Sequence, residues 1–120
     1  MFGKPSVGPV RETLDVALVV PQSGSAGIYG PSCEACAELA IADVNARAGL
    51  LGRRIRLVPV DGSRAPAAVA AEIAALLELG AIDAVTGWHI SPVRQAVARV
   101  TANRVPYVYG PLYEGGERTP

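Results

Sequence analysis

Four short apolar runs alternate with three amphipathic stretches along this chain, and a turn signal stands at almost every junction. That alternation constrains the fold more than any other feature. Leu14 to Val20 is a valine-rich run stopped by Pro21, suited to a strand buried in a parallel sheet. A Gly- and Ser-rich loop follows, from Gln22 to Gly30, and Pro31 with Ser32 beside it fits the first turn of a helix. In that helix Cys36, Ala37, Ala40, Ile41 and Val44 recur at three- and four-residue spacing. Glu34, Glu38, Asp43 and Arg47 take the other side, and Gly49 marks the end. Arg54 to Val60 alternates, with Ile55 and Leu57 opposite Arg54 and Arg56; with Pro59 it reads as a strand near the sheet edge.

Asp61-Gly62-Ser63 is a turn, and Pro66 opens a second helix with the stripe Val69, Ile73, Leu76 and Leu77, stopping at Gly80. Ala81 to Thr86 reads as a third strand. Ser91-Pro92 has the grammar of a serine N-cap with proline at the first helical position, opening a third helix striped by Val93, Val97 and Val100. Val105 to Tyr109 reads as a fourth strand, and Gly110 to Pro120 as loop.

Such a series implies an α/β fold: a doubly wound parallel sheet with right-handed crossovers and strand order 2-1-3-4. The chain reverses direction between the first and third strands, and ligands of open parallel sheets bind outside the carboxyl ends of strands at that switch point. Two loops, Pro21–Pro31 and Gly87–Ser91, face the expected crevice, with Gly110–Gly116 beside them. The fourth strand is followed by no closing helix, so the sheet edge would be open. The expectation is the first part of a longer protein: an extension over residues 1–13, then a partial lobe over 14–120.

Composition narrows the function. Eleven Lys+Arg balance eleven Asp+Glu, which argues against a nucleic-acid partner, where a clustered basic face is required. Half the residues are hydrophobic and mean hydropathy is +0.29, so the chain can build a core. No apolar run approaches the ~20 residues of a membrane span, so no membrane insertion is expected. Met1–Glu12 shows no apolar leader; the location expected is cytoplasmic if Met1 is the native start and extracytoplasmic if a leader has been removed.

Short motifs offer several chemistries. Cys33 and Cys36 form a C-x-x-C, but the single histidine, His89, is far away in sequence and two further zinc ligands are missing; packing as small hydrophobes is the plainer reading. Gly24, Gly27 and Gly30 are spaced G-x-x-G-x-x-G rather than G-x-G-x-x-G, which counts against a nucleotide-binding enzyme domain, although Asp61 stands where a ribose-binding acid would. Ser91, His89 and Asp61 or Asp83 lack the G-x-S-x-G elbow of a hydrolytic triad. Ser91 has a second use at its helix N-terminus, where free N–H groups and the dipole can help hold a carboxylate or amide oxygen. The aromatics Tyr29, Trp88, Tyr109 and Tyr113 all fall in or next to the three crevice loops, which suits a small-ligand pocket with apolar walls.

From about Asp15 to Pro120 the sequence resembles the type I periplasmic binding proteins, in the leucine/isoleucine/valine-binding branch that includes urea and aliphatic-amide binders. The phrase from Ala37 to Asp61, A-E-L-A-I-A-D-V-N-A-R-A-G-L-L-G-R-R-I-R-L-V-P-V-D, carries most of the likeness. Ala48 departs from it, standing where the family commonly has the first glycine of a pair. The loop Ser23-Gly24 … Tyr29-Gly30 is similar to the family's S-G … aromatic-G, and V-T-G-W-H-I-S to the stretch whose Ser or Thr binds the ligand's polar group. The ending with Y-E-G resembles the amide-sensor and urea-binding branch, with Pro111 in place of a ligand-contacting threonine.

The resemblance implies a non-enzymatic binder without a cofactor, serving an ABC-type transport system for an amino acid, amide or urea. Ser91 would hold the solute's polar group, Tyr29, Trp88 and Tyr109 would shape the cavity, Trp88 and His89 would be nearby walls, and Tyr113, matching the same branch, would be a further ligand-binding residue. The implied partner is an ABC permease or, if the chain is a cytoplasmic amide-sensing regulator of the same fold, a regulatory protein. A second lobe would close on the solute like a hinge.

Overall fold

The computed structural model describes residues 12–110. In chain order the elements are β1 (Thr13–Val20), α1 (Gly30–Ala46), β2 (Arg54–Asp61), α2 (Pro66–Glu78), β3 (Ala84–Gly87), α3 (Ser91–Thr101) and β4 (Tyr107–Tyr109), with one 3-10 turn at Gly27–Tyr29 leading into α1. The four strands form one parallel sheet in the order β2-β1-β3-β4. This is the doubly wound arrangement expected from the alternation, with its switch point between β1 and β3.

Register decides which side chain meets which layer. Val16 pairs with Leu57 and Ala84, and Val19 with Val60 and Gly87. Because side chains alternate across a strand, Ala17, Val19, Val60 and Val85 point to one face, where they join Val69 and Ile73 of α2 and Val93 and Val97 of α3 in the buried core. Val16, Leu18, Val20 and Leu57 point to the other face, under α1.

The two faces are packed differently. The α1 stripe faces the sheet as expected, but only Gly30 of that helix is buried, and Cys33, Cys36, Ala37, Ala40 and Ile41 line a cavity of about 580 Å³ beneath it. Alanine and cysteine side chains are too short to fill the space between a single helix and a broad sheet face. Asn45 ties the helix down: its side-chain amide donates to the Ile55 carbonyl (3.0 Å) and accepts from the Ile55 N–H (2.8 Å). The chain then turns through Ala48 and Gly49, both at φ +78°.

Two strands begin later than their apolar runs. Over residues 81–83 the chain is held to β1 from outside the ladder: Asp83 N–H donates to the Asp15 carbonyl (2.6 Å) and the Asp83 carboxylate accepts the Asp15 N–H (2.8 Å). Ile82 is nevertheless buried in the core. In β4, Val105 N–H is spent on the Thr101 carbonyl as α3 ends, and Pro106 has no N–H to give, so pairing starts at Tyr107. β2 lies at the edge, with Arg54, Arg56 and Pro59 exposed, in keeping with its pattern.

Candidate functional site

The carboxyl ends of β1 and β3 lead into the two loops expected to face a crevice, and β4 ends beside them at Tyr109. After β1, the loop is anchored to the end of β2: the Asp61 carboxylate accepts hydrogen bonds from Gln22 N–H (3.1 Å), Ser63 N–H (3.0 Å) and the Ser63 hydroxyl (2.6 Å). Those donors hold the Asp61 carboxyl below the ordinary carboxylate range, the Ser63 hydroxyl contributing most. The Ser23 and Ser63 hydroxyls lie 3.0 Å apart, closing the contact between the two loops. The acid considered for a ribose contact is thus committed to loop structure.

After β3 the backbone passes against β1. Gly87 has φ +149°, and a Cβ there would stand 2.0 Å from the Val19 carbonyl oxygen, so no other residue fits without moving the strand or the loop. That same oxygen accepts the Trp88 N–H at 3.1 Å. The next residue of the loop folds inward and α3 begins at Ser91, with the Ile90 carbonyl accepting the first helical bond from Arg94 N–H (3.0 Å). Ile90 is therefore the N-cap, and its apolar side chain makes no cap hydrogen bond. Ser91, expected as the cap, is the first helical residue instead, one position inside.

The predicted site residues fall into two groups. Tyr29, 54% exposed at the end of the 3-10 turn, packs on Trp88 with ring centroids 4.9 Å apart, joining the loops after β1 and β3. Tyr109, at the end of β4, donates its hydroxyl to the His89 carbonyl (2.5 Å) and carries the Arg94 guanidinium over its ring at 5.3 Å. Tyr29 and Trp88 thus meet on the α1 side of the sheet, whereas Tyr109 reaches the loop after β3 from the opposite face and Ser91 opens the helix that follows that loop. His89, expected as a wall, is 2% exposed beneath the loop on the α2–α3 side, with both ring nitrogens used, on the Val19 carbonyl (2.9 Å) and the Tyr107 hydroxyl (2.5 Å). Tyr113 and Pro111 lie outside the described residues.

Tyr107 is the residue that sequence reasoning passed over. Its signal was present: Tyr107 and Tyr109 are two apart, so both share the strand face that β3 gives to Val85 and Gly87. Cys33 and Cys36 are half-buried and exposed, respectively, on α1, and burial, followed by the neighbouring Cys36, pushes the Cys33 thiol above its ordinary range, the opposite of an activated thiol. Among the described residues no group of three or more His, Cys, Asp or Glu comes together to hold a metal ion. No helix among them is long and apolar enough to cross a membrane.

Residues 13–120 match the periplasmic binding protein family, and the chain belongs to it. Among solved structures it is similar to the branched-chain amino acid transporter substrate-binding protein LivJ from Streptococcus pneumoniae, in complex with isoleucine. That match has 27% identity and a TM-score of 0.69, over 81% of this chain and 28% of that one. A substrate-binding periplasmic protein from Ralstonia solanacearum shares 26% identity (TM-score 0.68; 79% of this chain, 28% of that one). A fatty acid ABC transporter substrate-binding protein from Thermomonospora curvata shares 25% (TM-score 0.64; 84% and 25%). The chain spans about a quarter of the length of these structures. No curated protein sequence matches it.

Proposed function

We propose that this chain contributes one wall of a solute site in the substrate-binding component of an ABC-type transport system, working outside the cytoplasm with an ABC permease. The solute is a small polar molecule, an amino acid, an aliphatic amide or urea, bound in a cleft between this lobe and a second one. The observation that carries the reading is the packing of Tyr29 on Trp88, which joins the loops after β1 and β3 at the carboxyl end of the sheet, where open parallel sheets take their ligands. Ser91, the first residue of α3, places a hydroxyl at the positive end of the helix dipole, a setting suited to a carboxylate or amide oxygen. Tyr29 and Trp88 give an apolar side against which an aliphatic part packs. The similarity to LivJ, whose structure holds isoleucine, supports an amino acid as the first solute to try.

The reading is tested by calorimetric titration of L-isoleucine, L-leucine, acetamide and urea into the complete protein and its Ser91→Ala variant. Loss of a buried hydrogen bond predicts weakening by at least ~1 kcal/mol for the solute that binds. Equal affinity in both proteins would remove Ser91 from the site, and absence of binding by all four solutes would overturn the reading.

A further inference from the structure

We propose that His89 and Tyr107 are positioning residues, which set the course of Gly87–Ser91 from below and so hold Trp88 and Ser91 where a solute would meet them. The consequence for binding rests on the function proposed above; the placement of the loop does not.

His89 is the only histidine of the chain, and its ring is enclosed by the sheet on the α2–α3 side. A polar ring in that position is tolerated only if its nitrogens are satisfied. The Val19 carbonyl can only accept, so Nδ1 carries a proton and donates to it. Burial above all, with the Arg94 guanidinium also nearby, disfavours the charged ring. The neutral ring then presents a lone pair at Nε2, and the Tyr107 hydroxyl donates to it. Tyr109 donates its hydroxyl to the carbonyl of the same residue. His89 is therefore fastened at three atoms to two strands: Nδ1 to β1, Nε2 and the carbonyl oxygen to β4. Its own residue leaves β3. The ring lies near-parallel to that of Tyr107, 9° between planes, and meets it end to end through the hydroxyl, with centroids 6.0 Å apart.

The neighbours on either side inherit this geometry. With His89 drawn under the sheet end, Trp88 is turned to the opposite face, where it lines the α1 cavity and meets Tyr29. Ile90 follows in extended conformation (φ −71°, ψ 160°), and Ser91 opens the helix directly after it. A side chain of equal bulk without ring nitrogens would fill the space but leave the loop free to choose another path.

The chain also has a single tryptophan, so both the pin and what it holds can be read without ambiguity. In ¹⁵N-labelled protein at pH 7.5, the imidazole spectrum is expected to show a protonated Nδ1 and an unprotonated Nε2. In Tyr107→Phe the Nε2 resonance should shift. Backbone order parameters of residues 87–91 should fall from the ~0.85 of rigid chain towards ~0.6, and Trp88 emission should change, with far-ultraviolet circular dichroism preserved. His89→Leu, which keeps apolar bulk, should loosen the same five residues and cost at least fivefold in L-isoleucine affinity in the complete protein. Should Tyr107→Phe fail to fold, Tyr109→Phe, which frees the His89 carbonyl, serves for the same measurement. A protonated Nε2, a charged ring at pH 7.5, or unchanged order at residues 87–91 in His89→Leu would overturn the proposal. Failure of the native protein to bind solute would overturn the function instead, because the imidazole and loop measurements need no ligand.

Discussion

Replacing Gly87 by alanine separates two costs that are usually confounded, strained backbone and steric overlap. At Gly87, φ is +149° and the added Cβ would lie 2.0 Å from the Val19 carbonyl oxygen and 2.8 Å from its carbonyl carbon and nitrogen. None of those atoms is the end of a flexible side chain; all belong to β1, the strand hydrogen-bonded on both sides. Gly80, just after α2, is the natural control, with φ +65° and nothing within 4 Å of an added Cβ. Gly80→Ala should therefore show the backbone cost alone, about 1 kcal/mol. Gly87→Ala bears a backbone cost of about 1–3 kcal/mol and overpacking of similar size. It also displaces the Trp88 N–H and His89 Nδ1–H donors from the Val19 oxygen. A total of about 3–5 kcal/mol is expected, several times the control. Urea unfolding followed by Trp88 fluorescence and by circular dichroism measures both variants on one scale. Equal destabilisation of the two would refute the claim that contact with β1, rather than φ alone, makes residue 87 a glycine.

Ala48 sits at φ +78°, a conformation that costs an L-residue about 1–2 kcal/mol, so Ala48→Gly should raise stability by up to ~1 kcal/mol after glycine's greater freedom in the unfolded chain is subtracted; a lower urea midpoint would contradict this. Asn45→Ala removes both bonds to Ile55 and leaves two backbone groups at the strand edge, and should cost about 1–3 kcal/mol in the same assay. Because the folded state holds the His89 pKa below its ordinary value of about 6.5, mainly by burial, the unfolded chain binds the proton more readily. Stability from the neutral ring should be complete above about pH 7 and decline as pH falls through 6.5 towards the lowered folded value. Measuring the urea midpoint from pH 8 to 5 in the native chain and in His89→Gln checks the sign, and identical profiles would remove His89 as the source.

What the sequence determined by itself was the layer order. Period-two and period-3.6 patterns with their Gly and Pro punctuation are local signals, and they specified the parallel sheet, its 2-1-3-4 order and the loops at the switch point, because right-handed crossovers leave few other solutions. The same local grammar misplaced what depends on partners distant in the chain. Ser91-Pro92 reads as cap and first residue, yet the helix starts at Ser91. The sequence does not reveal that Val19, 70 residues before His89, supplies the carbonyl that draws its ring down. The α1 stripe was legible, whereas the cavity beneath it was not, since packing depends on volumes that two separate elements bring together. Likewise Tyr107 acquires its role only when β4 pairs with β3 and brings its hydroxyl to His89. Tertiary structure decided the orientation of side chains at the site, because a hydrogen bond between residues far apart in sequence has no periodicity to announce it.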